Sequence, residues 1–271
     1  MIIIEWVRVP PSAFHTMHTI PNAFSITRTS ALFVVAVCLG AFFSHQVSAA
    51  DTVFETQPSR THLLELFTSE GCSSCPPAEA WLSKLKENPR LWKDFVPVAF
   101  HVDYWDHLGW RDPFANKAWT ARQYAYSALW QSSSVYTPGF VLDGREWHNN
   151  AVPSAGTDAP GILKVTLTNS DAITVNFRPV EANQTSLDVH VARLGFGLST
   201  KVTAGENSGR NLSQDFVVLS LLDQHLQSGS AKLPFDAATV TPSPDTRVAI
   251  AVWITKSGQP EPLQAVGGWL P

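Results

Sequence analysis

The sequence predicts a chain in two structural parts: an α/β domain over residues 51–150 and a β-rich, sandwich-like domain over residues 162–271, with a linker at 151–161 between them. Three observations predict it. A strand, a Cys-x-x-Cys turn and a helix start are legible together in Leu63–Ala78. A second apolar run of strand length, Phe95–Val102, follows the first helix. From Ile162 onward the apolar residues recur with a period of two. Two successive β-helix-β elements imply a parallel sheet, whereas alternation separated by polar turns implies half-buried strands.

The first element, Leu63-Leu64-Glu65-Leu66-Phe67, is a short apolar run ending in the polar turn Thr68-Ser69-Glu70-Gly71. Cys72-Ser73-Ser74-Cys75 comes next, and Pro76-Pro77 occupies the first helical turn, where the missing N–H of proline costs nothing. Ala78, Trp81, Leu82 and Leu85 then recur at helical spacing to about Lys86. After the second strand, Asp112-Pro113 reads as a helix cap with a first-turn proline. Phe114, Ala118, Ala121, Ala125, Ala128 and Leu129 keep helical spacing to about Trp130 and predict a small-residue face that packs closely. Val135–Trp147 contains Thr137-Pro138, a strand, an Asp143-Gly144 turn and a returning strand, the pattern of a β-hairpin. His148–Gly161, rich in Ala, Pro, Gly, Asn and Ser, carries no helical stripe and reads as the linker. Beyond it the alternating runs are Leu163-Val165-Leu167, Ile173-Val175-Phe177, Leu187-Val189-Val191 and Val248-Ile250-Val252-Ile254. Gly205–Asn211 reads as a polar turn between strands, and Val217–Leu222 fits either strand or helix.

Composition narrows the partners. At 44% hydrophobic and 15% charged residues the chain is an ordinary globular protein. Arg28 precedes the uncharged run Ala31–Phe43, and Ser48-Ala49-Ala50 supplies small residues for a signal peptidase, so residues 1–50 read as a secretory signal region with cleavage before Asp51. The run is shorter than the ~20 residues a membrane span needs, which argues against a stable anchor. The expected location is periplasmic or secreted. Without Arg8, Arg28 and Glu5 the remainder carries 17 basic and 22 acidic side chains, a formal charge of −5 that invites neither nucleic acid nor an anionic membrane. The same cut removes Cys38 and leaves Cys72 and Cys75 as a lone pair.

In an oxidising compartment such a pair is a redox or sensing disulfide, or half of a metal site. A static role is weak, because a disulfide across two residues closes too small a loop to gain much from chain entropy. A thiol at a helix N-terminus faces unpaired N–H groups and the positive end of the helix dipole, which favour the thiolate. Cys72 is thus the candidate nucleophile and Cys75 the resolving thiol. Glu65 and Glu70 act in the opposite direction, since nearby negative charge disfavours a second anion.

The order of strand with Cys-x-x-Cys, helix, strand, helix, Thr-Pro and hairpin resembles that of a thioredoxin-like fold. The resemblance implies that Thr137-Pro138 is the cis-proline segment that lies beside the disulfide and aligns an extended substrate. Phe67–Ala78, His101-Val102-Asp103-Tyr104-Trp105-Asp106, Gly109–Phe114 and Tyr136-Thr137-Pro138 also resemble a bacterial secreted family of unknown function, the domain of unknown function numbered 1223. That resemblance spans about Leu63 to Trp147 and implies a thioredoxin-like architecture.

The expected function is thiol–disulfide exchange with protein or small-molecule thiols and disulfides, needing no cofactor. Glu65, in mid-strand among leucines, is the candidate buried acid that accepts the Cys75 proton. The loop at the end of the second strand shares a sheet edge with the Cys-x-x-Cys, so Trp105, Trp110, Asp103 and His107 are candidates for a substrate-facing wall. One alternative is a Cu(I)- or Zn-handling module in which His101, His107, Asp103 and Asp106 join the two thiolates. Another is a binding protein built on an inactive scaffold.

Overall fold

The computed structural model describes residues 51–148, 151–168, 172–181, 186–235 and 247–271; the expected signal region lies outside them. In chain order the elements are β1 (Thr52–Glu55), β2 (His62–Thr68), α1 (Pro76–Lys84), β3 (Phe95–His101), α2 (Lys117–Leu129), β4 (Gly139–Leu142), β5 (Arg145–Glu146), β6 (Gly161–Thr168), β7 (Ala172–Pro179) and β8 (Leu187–Gly195). They continue with β9 (Leu198–Lys201), β10 (Asn211–Gln214), β11 (Val217–His225), β12 (Ser230–Pro234), β13 (Val248–Lys256) and β14 (Pro262–Trp269).

The strands form an eight-stranded mixed sheet in the order β14-β13-β8-β11-β3-β2-β4-β5, a four-stranded sheet β1-β6-β7-β12, and the hairpin β9-β10. This overturns the expectation of an α/β thioredoxin-like domain followed by a separate β-rich domain. The molecule is mostly β-sheet, with two α-helices among the described residues, and strands from both halves of the chain share one sheet. The join is made at β3, every residue of which is buried. β3 pairs in parallel with β2 along its length, and its other edge receives β11 at Val217↔Ala99, reinforced by the Ala99 N–H donating to the Phe216 carbonyl. An edge left open there would present unpaired backbone groups, and the C-terminal half supplies the strand that closes it. Pro97 is tolerated in this interior strand because strand N–H groups alternate sides. Its missing donor would have pointed, as that of Ala99 does, toward β11, which begins only at Val217.

Two cores flank the large sheet. Ala249, Ala251 and Trp253 of β13 face the same core as Phe67, Phe100 and Trp119, while Ile250, Val252 and Ile254 face a second core with Val165, Val175 and Leu233 of the four-stranded sheet. The alternation in β13 thus separates two buried faces; the sequence pattern implies one buried and one wet. The 151–161 segment runs against the β1–β2 connection, where Arg60 pairs with Asp158 and the Gly156 N–H donates to the Arg60 carbonyl.

α2 differs from its expectation in both start and face. Its cap is Asn116, whose Oδ1 accepts from the Ala118 N–H, and Asp112 lies before it with other duties. The alanine stripe faces solvent, and the buried stripe is Trp119, Thr120, Gln123, Tyr126 and Ser127. Trp119 and Tyr126 remove far more apolar area from water than alanines do, and their polar neighbours find partners inside. Among the described residues no helix is long and apolar enough to cross a membrane.

Candidate active site

Cys72 and Cys75 form a disulfide at the start of α1, and both residues are fully buried. The turn carrying them is built from local bonds. The Gly71 N–H donates to the Ser69 hydroxyl, the Cys72 N–H to the Ser69 carbonyl, and the Cys75 N–H to the Cys72 carbonyl. Cys75 then starts α1, its carbonyl accepting from Ala78 and Glu79. Gly71 has to be glycine because Trp105 packs directly on it: an added Cβ would lie 2.8 Å from the Cβ of Trp105.

Trp105 ties this turn to the next functional segment, its indole N–H donating to the Thr137 hydroxyl at 2.8 Å. The Thr137–Pro138 peptide is cis, and the Thr137 carbonyl oxygen lies 3.7 Å from Cys72 Sγ, with the Ser74 hydroxyl 3.3 Å away on the same sulfur. Cys72, Cys75, Thr137, Pro138 and Trp105 therefore form one constellation. Trp110 joins at its margin, donating its indole N–H to Glu70.

The other expected residues stand elsewhere. Asp103 accepts from Thr120 of α2 at 2.6 Å, and His107 is exposed, its ring turned onto the Tyr104 carbonyl of its own loop. Glu65 is fully buried as expected, but it binds Arg122 Nε at 2.6 Å and accepts from the Tyr126 hydroxyl at 2.5 Å. Arg122 also lies over the rings of Phe100, Tyr126 and Trp253, and although its burial opposes the charge, Glu65 drives its pKa up. Glu65 is the counter-ion of this buried guanidinium. The described His, Cys, Asp and Glu side chains include no group of three or more able to hold a metal ion.

The sequence reading missed a second buried acidic group around the Cys-x-x-Cys turn. Glu79, one helical turn past Cys75, is buried; its carboxylate accepts from the Thr68 hydroxyl at 2.6 Å and from the Gln214 amide of β10 at 3.2 Å. Beside it His101 Nδ1 meets Asp112 Oδ2 at 2.7 Å, and Asp112 also accepts from the Glu70 N–H at 2.8 Å. His101 Nε2 and Glu70 Oε1 are buried without a hydrogen-bond partner. Burial raises the pKa of Glu79, opposed by the nearby His101 and the Thr68 hydroxyl; burial likewise raises that of Glu70, with Asp112 adding to it. Burial works against the His101 charge, yet Asp112, Glu79 and Glu70 together push its pKa up. For Asp112 burial pushes upward and the His101 pair overcomes it, leaving the carboxyl below its ordinary value. Three groups with raised pKa values, Glu79, Glu70 and His101, thus lie near the helix that carries the disulfide. The i, i+4 spacing of Cys75 and Glu79 was the available signal.

The second missed feature is the loop between β9 and β10, which the sequence presents as a plain polar turn. Asn207, fully buried, donates from its amide to the carbonyls of Glu70 at 2.8 Å and Cys72 at 3.0 Å. Glu206 accepts from the Ser73 N–H at 3.0 Å, and hydrogen bonding from the Ser73 side chain and then its backbone lowers the Glu206 pKa.

A family model described as a protein of unknown function, DUF1223, matches residues 63–255. Among solved structures, a crystal structure of a protein from Agrobacterium tumefaciens is similar at a TM-score of 0.57 and 25% identity, covering 79% of this chain and 96% of that one. HBP35 of Porphyromonas gingivalis is similar in fold at a TM-score of 0.54 and 15% identity, covering 79% of this chain and 76% of that chain. No curated protein matches the chain.

Proposed function

This chain belongs to the DUF1223 family, and we propose that within it the protein acts as an exported thiol–disulfide oxidoreductase using Cys72 and Cys75. The observation that carries the reading is the position of Cys72, which combines a disulfide at the start of a helix with a contact to the Thr137 carbonyl. A backbone carbonyl held beside the reactive sulfur is a ready partner for the N–H of an extended substrate. The secretory pattern of residues 1–50 supports an oxidising location for such chemistry.

The exchange balances as a two-electron step. A thiolate of a substrate dithiol attacks Cys72 Sγ, a mixed disulfide forms, the Cys72–Cys75 bond breaks, and Cys75 leaves with the electron pair as a thiolate. The second substrate thiol, deprotonated, displaces Cys72, so that the substrate gains the disulfide and the protein carries two thiols. The reverse sequence reduces a substrate disulfide. The departing Cys75 thiolate needs a proton, and Glu79, whose burial holds its carboxyl protonated to higher pH, stands one turn further along α1. Thr137 and Pro138 position the substrate backbone. Trp105 holds that segment against the Cys72 turn.

Equilibration of the purified, metal-free protein in glutathione buffers, with thiols trapped by alkylation, tests the proposal. A reversible couple between about −270 and −120 mV is expected, the span of catalytic dithiols. A pair that stays oxidised below about −300 mV behaves as a structural disulfide and would overturn the reading.

A further inference from the structure

We propose that the loop joining β9 to β10 is an autoinhibitory latch that holds the Cys72–Cys75 disulfide closed, with Asn207 as its pin. The inference rests on the exchange reading above and adds regulation to that site. Attack on a disulfide needs access to a sulfur, and here both cysteines are fully buried. The turn that carries them is held by a segment far along the chain, Asn207 bonding Cys72 across 135 residues and Glu206 bonding Ser73 across 133.

The hairpin has a fixed base and a tip that carries the bonds to the Cys-x-x-Cys turn. At the base Val202 and Leu212 are buried, Gln214 donates to Glu79, and Asp215 pairs with Lys86 at 2.6 Å. At the tip Gly205 and Gly209 have positive φ, and nothing lies within 4 Å of where a Gly209 Cβ would be. The tip is braced internally, Ser208 N–H to the Gly205 carbonyl and Arg210 N–H to the Asn207 carbonyl, and joined to the base by the Gly209 N–H donating to the Val202 carbonyl and the Val202 N–H to the Arg210 carbonyl. The tip is bonded to the Cys-x-x-Cys turn through two hydrogen bonds from Asn207 and one to Glu206. Arg210 donates to Asn207 Oδ1 at 2.7 Å, which fixes the amide so that its NH2 faces the two carbonyls.

The latch acts on chemistry as well as on access. The Ser73 N–H is a backbone donor that would stabilise a Cys72 thiolate, and Glu206 both occupies it and places a negative charge beside it. Closing the tip therefore holds the turn in the arrangement that buries both cysteines, and disfavours the thiolate that exchange would release.

The test is the rate at which dithiothreitol reduces the disulfide in the native protein, followed by acid quench and maleimide–polyethylene glycol gel shift. Native protein is expected to be reduced more slowly than its urea-unfolded chain, and Asn207→Ala to be reduced about tenfold to thirtyfold faster than native, the factor given by losing two ordinary side-chain hydrogen bonds. Glu206→Gln is expected to accelerate reduction less and to lower the pH at which Cys72 alkylates. Both variants reducing at the native rate overturn the latch. So does a native protein reduced as fast as its unfolded chain, a comparison that holds even if neither variant folds. Reduction does not require catalytic competence, so the two proposals fail separately. A faster Asn207→Ala with a couple below about −300 mV keeps the latch and overturns the exchange reading, and a couple in the catalytic range with unmoved rates does the reverse.

Discussion

At the scale of single residues, the buried pair His101–Asp112 carries the clearest pH signature. His101 has a raised pKa in the folded state, so its contribution is complete below the ordinary imidazole value of about 6.5 and fades as pH rises through the higher folded value. Asp112 has a lowered one, so its contribution is present above the ordinary carboxyl value of about 3.9 and is lost as pH falls through the folded value. Both hold between those limits. Asp112→Asn removes the anion that supports the imidazolium and leaves one oxygen where two had accepted from the Glu70 and Phe114 N–H groups. Urea denaturation should show the largest loss, about 3–5 kcal/mol for breaking a buried pair, near pH 5, shrinking toward pH 9 and toward pH 3. A loss that does not vary with pH would mean the pair is neutral in the folded protein. The same scale explains what could be read in advance. Cys72, Cys75 and the Thr137-Pro138 segment were legible because their chemistry is local to a few residues. Glu65 was legible as a buried acid, but its role depended on Arg122, 57 residues away, and no pattern in the strand announces which cation will cross to it.

At the scale of elements, α2 shows how periodicity can give a helix and still mistake its buried face. Ala118, Ala121, Ala125 and Ala128 share a helical spacing, and so do Trp119, Gln123 and Tyr126 one position on. Alanine reads as apolar but gains little by burial, whereas Trp119 and Tyr126 gain much. Gln123 offsets part of its burial because its amide donates to the Tyr136 carbonyl at 2.7 Å, which also secures the approach to Thr137, although its amide oxygen is buried without a partner. Two substitutions separate the faces. Ala125→Lys, on the exposed side, should change unfolding free energy by no more than about 0.5 kcal/mol. Trp119→Ala, against Phe100, should cost about 3–5 kcal/mol. Equal effects in thermal or urea unfolding would mean that the alanine face is covered after all. β13 has the complementary ambiguity. Its alternating residues Ile250, Val252 and Ile254 pointed to one buried face, and only the core of Phe67, Phe100 and Trp119 on the opposite side shows why the intervening Ala249, Ala251 and Trp253 are buried too.

At the scale of the whole molecule, the shared sheet makes the two halves of the chain depend on each other. The change of periodicity near residue 161 is real, since β6 and β7 alternate buried and less buried residues, yet the pairing of β3 with β11 lies between residues far apart in sequence and leaves no local mark. Residues 51–150 alone would hold β2, β3, β4, β5 and both helices, but β3 would lose β11 along one edge. Phe100 would lose Trp253, and Arg122 would lose both the Trp253 face and the Pro260 carbonyl that also receives the Tyr126 hydroxyl. The guanidinium and Glu65 would then sit in a cavity open to water on one side. Glu79 would lose Gln214, and the Cys-x-x-Cys turn would lose Asn207. A fragment of residues 51–150 is therefore expected to show no cooperative unfolding transition in urea and to bind a hydrophobic dye, while residues 51–271 unfold in a single transition by fluorescence and circular dichroism. A fragment that folds cooperatively, with a slope against urea in proportion to its size, would establish the N-terminal half as an independent domain and make the β3–β11 seam a docking contact.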